Sequence, residues 1–251
     1  MHRFSDLVAV LTGAASGVGR AVALRLAREG ATIVGFDRDA AGLSATEALV
    51  KAEGAMMASV VGDVGDRARC QDVIGRAVEQ FGRIDVVGNI AGFTRFEKVA
   101  DIDETAWRAT IDSMLTGPLW IAQAALPHLC DSGGVIINIA SIAALRGQAY
   151  TLPYAVAKAG LAEMTRCLAL EYAKTSVRVI ALAPGGIANT GISTDMQFPD
   201  GLDPQLMARY DSLRGIASVD DIANVFAFLA SSEASRIHGT MVVVDGGESS
   251  W

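Results

Sequence analysis

A chain of 251 residues has room for one large α/β domain or two small ones, and its 51% hydrophobic against 20% charged residues suggests an outer surface partly covered by further subunits. A formal net charge of −7 leaves no basic footprint for nucleic acid or for an anionic membrane surface. Cys70, Cys130 and Cys167 lie far apart with no CxxC pair or clustered histidines, which excludes a disulfide framework and a zinc site, so no metal is expected.

The first apolar run, residues 7–11, is too short for a signal peptide or a membrane span and ends at Thr12-Gly13, so the expectation is a cytoplasmic protein. That run is also the first of seven strand candidates, at 8–12, 32–36, 57–61, 85–89, 135–140, 177–182 and 241–244. Between them, apolar residues recur every three or four positions, as in Val22, Leu26 and Ala27 or Val73, Ala77, Val78 and Phe81, the signature of amphipathic helices. Strands as wholly apolar as Val135-Ile136-Ile137-Asn138-Ile139 need cover on both faces, which a parallel sheet between helical layers provides. The predicted fold is α/β: a doubly wound, Rossmann-type, seven-stranded parallel sheet with helices on both faces. No linker or repeat interrupts it, so residues 1–251 are expected to form one domain. Residues 185–215 are the least regular, with Pro199, Gly201 and Pro204 breaking periodicity among Met196, Phe198, Leu202, Leu206, Met207 and Tyr210. This stretch reads either as a substrate loop with a short helix or as an ordinary surface excursion.

After the first strand the chain reads Thr12-Gly13-Ala14-Ala15-Ser16-Gly17-Val18-Gly19, then a strong helix pattern over 20–29. Glycines let such a turn bend and bring backbone N–H groups to a pyrophosphate at a positive helix end, which makes Gly13, Ala15, Ser16, Gly17, Val18 and Gly19 candidate cofactor contacts. Eighteen residues beyond Gly19, Asp37 ends the second strand, where a carboxylate accepts from ribose hydroxyls and repels a 2′-phosphate. That favours NAD over NADP, although Arg38, turned inward, could hold a phosphate, and Asp37-Arg38-Asp39 could instead be a turn and a helix cap. Asp63 and Val64 follow the third strand, and Asn89, Ala91 and Gly92 follow the fourth, along the edge where ligands bind in this fold. Asp63 alternatively caps a helix starting near Asp66.

Tyr154 and Lys158, four residues apart, share one helix face. A phenol with a pKa of about 10 is a poor base at neutral pH. A nearby ammonium, with the positive ring of oxidised nicotinamide, stabilises the phenolate and makes Tyr154 a candidate proton acceptor and donor for an alcohol or carbonyl.

In this order and spacing, TGAASGVG, Asp63-Val64, NIAG, Ser141 and Tyr154-Ala155-Val156-Ala157-Lys158 resemble the short-chain dehydrogenase/reductase family, from Thr12 to Asp245-Gly246-Gly247. The resemblance implies a nicotinamide-dependent oxidoreductase in which Ser141 donates a hydrogen bond to the substrate oxygen and Lys158 also binds the nicotinamide ribose. It implies that Pro184, Gly185 and Ile187 meet the nicotinamide carboxamide. It further implies a homotetramer, with a dimer as the alternative, built in part through Met241-Val242-Val243-Val244.

Two positions depart from the family pattern. Asn189 stands where threonine is usual, with Thr190 one residue later. Met114, in Met114-Leu115-Thr116-Gly117, takes the place of an asparagine that holds a water connecting the lysine to solvent, and a thioether cannot donate a hydrogen bond. Either a backbone carbonyl near Met114 still holds the water, or Ser113 or another polar group substitutes, or turnover is slow. The expected substrate is a mid-sized, fairly apolar secondary alcohol or ketone, met by Phe93, Leu145, Tyr150 and the irregular loop. The competing reading is a nucleotide-binding protein with weakened catalysis. His2, His128 and His238 show no ligand spacing and are expected to be surface or packing residues.

Overall fold

The computed structural model describes residues 2–188, 190, 198–207 and 214–250. Seven strands, β1 (Val8–Thr12), β2 (Thr32–Asp37), β3 (Met57–Val61), β4 (Val86–Asn89), β5 (Val135–Ile139), β6 (Arg178–Pro184) and β7 (Met241–Val244), pair in parallel in the order β3-β2-β1-β4-β5-β6-β7. All seven fall on the apolar runs, three with the expected ends and the others displaced by at most two residues. Asp85 falls just outside β4, although its backbone bonds to Val8 and Val135 on the neighbouring segments, and its carboxylate accepts from Val8 N at 2.9 Å and pairs with Arg83.

The chain steps outward from β1 to β3, then returns to start β4 on the other side of β1. The connections leaving β1 and β4 therefore part in opposite directions and open a crevice at the carboxyl ends of those strands, the ligand-binding edge of this architecture.

Helices α1 (Gly17–Ala27), α2 (Ala40–Ala52) and α8 (Val219–Ala230) cover one face, burying Val22, Leu26, Leu43, Ile222, Phe226 and Leu229. Helices α3 (Arg67–Phe81), α5 (Gly117–Ser132) and α6 (Leu152–Glu171) cover the other with Val73, Ile74, Ile121, Leu129 and Ala169. Helix α4 (Glu104–Ile111) packs against α6 and runs into α5 through a widened π turn at Asp112–Thr116. The irregular stretch contains a short helix, α7 (Pro204–Met207), and its base is pinned where Ile187 bridges Ala217. Asn189, Met196 and Tyr210 lie outside the described residues. Among the described residues no helix is long and apolar enough to cross a membrane.

Candidate active site

Close packing of backbone on backbone shapes the turn after β1. Gly13 has φ +69° and an added Cβ would lie 2.9 Å from Ala91 N, while at Gly19 it would lie 1.9 Å from the Gly13 carbonyl oxygen. Beneath the turn, Thr46 Oγ1 donates to Ala14 O at 2.9 Å and Arg20 donates to the Ala15 carbonyl and to Thr46. Helices α2, α3, α4 and α8 open on side-chain caps, from Asp39, Asp66, Asp103 and Ser218. Ser16, at the start of α1, makes no such bond, and the first turn holds no acid. Among the described residues no side-chain cap takes the donors around Gly17, Val18 and Gly19 at the positive end of this helix, an arrangement that fits a pyrophosphate. Above them, a Cβ on Gly17 would have Thr190 as its nearest described neighbour, at 3.7 Å.

Several expected cofactor residues turn out to support the turn. Ala15 is 2% exposed and gives its N–H to Asp37 Oδ2 at 3.1 Å, and its carbonyl is taken by Arg20, so no polar group of Ala15 is left for a ligand. Asp37 also accepts from Asp39 N at 3.0 Å, and Asp39 rather than Asp37 caps α2. Arg38 beside it is exposed. Asp63 accepts from Gly65 N at 2.8 Å, and the cap of α3 is Asp66, which corrects the alternative that Asp63 caps that helix. Asn89 is turned into the sheet, donating to Asn138 Oδ1 at 2.8 Å, and Asn138 in turn donates to Thr165 at 2.9 Å. Its side chain therefore links strands, while Thr12 Oγ1 secures the N–H groups of Ile90 and Ala91 just beyond.

The reaction end is built from α6, the end of β5 and the segment after β4. Lys158 is 3% exposed and donates to the Ile139 carbonyl at 2.7 Å, with Nζ 5.6 Å from the centre of the Tyr154 ring. Burial without a neighbouring carboxylate pushes the Lys158 ammonium down to about 8. Burial raises the Tyr154 phenol, against which hydrogen bonds with the Ser141 and Thr94 hydroxyls pull it down. Ser141 is held in a tight turn, where its Oγ accepts from Ala143 N at 3.1 Å. The predicted triad of Ser141, Tyr154 and Lys158 does converge.

Thr94 was not predicted, because a single hydroxyl in an irregular segment carries no periodic signal. Met114 is fully buried in the π turn, closed by a bond from Gly117 N to Asp112 O. Its sulfur would stand 3.1 Å from a Cβ on Gly92, and Lys158 Nζ 3.6 Å from the same point, so thioether and ammonium flank one glycine. Pro118 supplies no N–H to the Met114 carbonyl four residues earlier.

Pro184 is the last residue of β6, beside the end of β5, and Gly185 N donates to Val244 O at 3.1 Å. In the segments after β4 and β6, Phe96 and Phe198 lie tilted at 46° with ring centres 4.8 Å apart, and Arg95 lies 5.8 Å from the Phe93 ring centre. Tyr150, at φ +64°, accepts a bond from Asp203 N at 3.0 Å through its hydroxyl, and Leu145 is exposed. His238, bonded to Val179 N and the Ala169 carbonyl, packs between β6 and α6.

A profile of the family described as enoyl-(acyl carrier protein) reductase matches residues 13–249. The chain is 36% identical over 243 residues to a subunit of (2S)-[(R)-hydroxy(phenyl)methyl]succinyl-CoA dehydrogenase from Thauera aromatica, covering 96% of each. It is 36% identical over 250 residues to cis-4-hydroxycyclohexanecarboxylate dehydrogenase from Sinomonas cyclohexanicum, covering 97% of each. The crystal structure of a short-chain dehydrogenase from Mycobacterium paratuberculosis bound to NAD superposes with a TM-score of 0.92 at 29% identity, covering 99% of this chain and 100% of that one.

Proposed function

The chain belongs to the short-chain dehydrogenase/reductase family of oxidoreductases, and from that premise we propose that it is an NAD-dependent enzyme interconverting a cyclic or aryl-bearing secondary alcohol and its ketone, with Tyr154 as general acid and base. The observation that carries the reading is the convergence of the Tyr154 phenol with the Ser141 hydroxyl and the buried Lys158 amine.

When bound, the nicotinamide supplies the hydride acceptor or donor. Tyr154 takes the proton of the substrate hydroxyl during oxidation and returns it during reduction. Ser141 holds the substrate oxygen, and the turn from Ser141 to Ala144 fixes where its hydroxyl stands. Below about pH 8 Lys158 carries its charge and favours the phenolate, with solvent too far excluded to screen the pair. Proton supply to Lys158 runs through a water on the Met114 carbonyl, which Pro118 leaves without its α-helical donor. The competing idea of a nucleotide binder with weakened chemistry rests on Met114 alone, and a water held by that carbonyl is what the enzyme reading sets against it.

Asp37, at the end of β2, favours NAD through its charge toward a 2′-phosphate. The ring-bearing substrate is supported by Phe93, Phe96, Tyr150 and Phe198, and by the hydroxy(phenyl)methyl and hydroxycyclohexane groups named for the two relatives. Assembly into a homotetramer, with a dimer as the alternative, accounts for exposed Leu119, Val156 and Leu170.

The test follows reduced-nicotinamide absorbance with both NAD and NADP and a panel of cyclic and acyclic secondary alcohols. Turnover is expected with NAD and ring-bearing alcohols. Tyr154→Phe should lower kcat by about a thousandfold while NADH still binds. Full activity in that variant, or no turnover across the panel, refutes the reading.

A further inference from the structure

Two consecutive glycines carry the chain away from β6, and neither has a side chain with which to hold that turn in place. The space a Cβ on Gly185 would need is taken by Glu248, whose Oε2 would lie 2.8 Å from it. The Glu248 carboxylate also faces the backbone N–H of Gly186, which favours its charged form. Its other oxygen, Oε1, meets Arg146 Nη2 at 2.5 Å, and Arg146 Nη1 donates to the Glu248 backbone carbonyl at 3.0 Å. Arg146 closes the turn that Ser141 opens, since its own N–H donates to Ile142 O at 3.2 Å. One carboxylate, 3% exposed, thus ties the turn after β5, which carries Ser141, to the turn after β6.

Glu248 is itself held in place. Gly246 and Gly247, at φ +63° and +89°, reverse the chain after β7, and Asp245 accepts from Gly247 N at 2.8 Å and Ser249 N at 2.7 Å. The buried charge is neutralised by Arg146 on a rigid turn, the situation in which a buried pair fixes one geometry among several.

We propose that Glu248 is a positioning residue: by bridging Arg146 and Gly186 it fixes the turn after β6 against the turn of Ser141, and so sets the seat of the nicotinamide half of the cofactor. This rests on the dinucleotide reading above. Because Glu248 touches neither the glycine turn after β1 nor Asp37, its removal acts on the nicotinamide half alone.

The test titrates full-length protein with NADH and with ADP-ribose, which lacks the nicotinamide. In Glu248→Ala the NADH dissociation constant should rise about tenfold, ~1.4 kcal/mol, with the ADP-ribose constant within twofold of wild type. In Glu248→Gln, which keeps an acceptor for Gly186 but loses the ion pair, the rise should be about threefold, ~0.7 kcal/mol. Circular dichroism decides which variant is read: if Glu248→Ala fails to fold, Glu248→Gln carries the test. A ratio of the two constants within twofold of wild type, or equal weakening of both ligands, overturns the proposal. Wild-type protein that binds neither ligand overturns the dinucleotide reading, and this inference with it.

Discussion

The two ends of the crevice are made of different material. At the nucleotide end, backbone meets backbone: Gly19 stands over the Gly13 carbonyl, Gly13 over Ala91, and the donors of α1 have no side-chain cap. At the reaction end, side chains do the work: buried Lys158 on the Ile139 carbonyl, half-buried Tyr154 between Ser141 and Thr94, and buried Glu248 between Arg146 and Gly186. The first is therefore a steric site, in which one added carbon is decisive and charge is secondary. The second is an electrostatic site, in which shape tolerates change and exclusion of water sets the chemistry.

The largest expected effect sharpens the steric side. In Gly19→Val a Cβ placed 1.9 Å from a carbonyl oxygen cannot be relieved by a rotamer change, so α1 must leave the turn. NADH binding should fall by at least about a hundredfold, ~2.7 kcal/mol, as read by fluorescence titration. Gly17→Ala is the control: there the Cβ has room, 3.7 Å from Thr190, and only the positive φ of +50° is strained. That strain costs ~1–2 kcal/mol. NADH binding in Gly19→Val within threefold of wild type would break the contrast between the two ends.

The electrostatic side predicts that an essential cation is held at the expense of stability. Displacing Lys158 from its usual 10.5 to about 8 by burial corresponds to ~3 kcal/mol against the folded state wherever the unfolded chain is charged. Lys158→Met removes that penalty but leaves the Ile139 carbonyl unpaired, which returns ~1–2 kcal/mol. The variant should be more stable than wild type by ~1–2 kcal/mol at pH 7, with turnover lowered at least about a hundredfold. Between pH 8 and 10.5 the native state holds fewer protons than the unfolded chain, so wild-type stability rises through that window. The variant lacks this slope, and its advantage should vanish toward pH 10.5. Urea melts at pH 7 and pH 10 read both quantities. A variant less stable than wild type at pH 7 would show that the buried ammonium costs the fold nothing.

How far each end can be read from sequence follows from the same difference. The glycine turn and the Tyr154–Lys158 pair lie within single short segments, where spacing along one strand end or one helix turn fixes proximity. The seven strands were legible because burial on both faces demands continuous apolar runs. Thr46 under Ala14, 32 residues away, and Arg146 on Glu248, 102 residues away, join segments that no periodicity relates. The roles of Asp37, Asp39, Asp63 and Asp66 stayed open because each residue type both caps helices and meets ligands. Only the observed bonds to Ala41 and Gly42, and to Ala68 and Arg69, separate the caps from the rest. The direction of Asn89 stayed open for a related reason, since a strand-end amide can face outward or inward, and the partner that takes its Nδ2, Asn138, lies on the neighbouring strand.

Met114→Asn has the smallest expected effect and bears on whether the reaction end needs side-chain shape at this point at all. If proton supply runs through the Met114 backbone carbonyl, the side chain is a filler, and kcat should stay unchanged or rise by up to about threefold, ~0.7 kcal/mol. The buried site gives the new amide little to bond with beyond Lys158, on the far side of Gly92, and an unmet polar group there would cost ~1–3 kcal/mol of stability. A modest fall in thermal stability with turnover held is therefore the expected signature, read from a melting curve beside a steady-state assay. A hundredfold loss of turnover would assign the thioether a part in the chemistry and place a shape-dependent contact at the electrostatic end of the crevice.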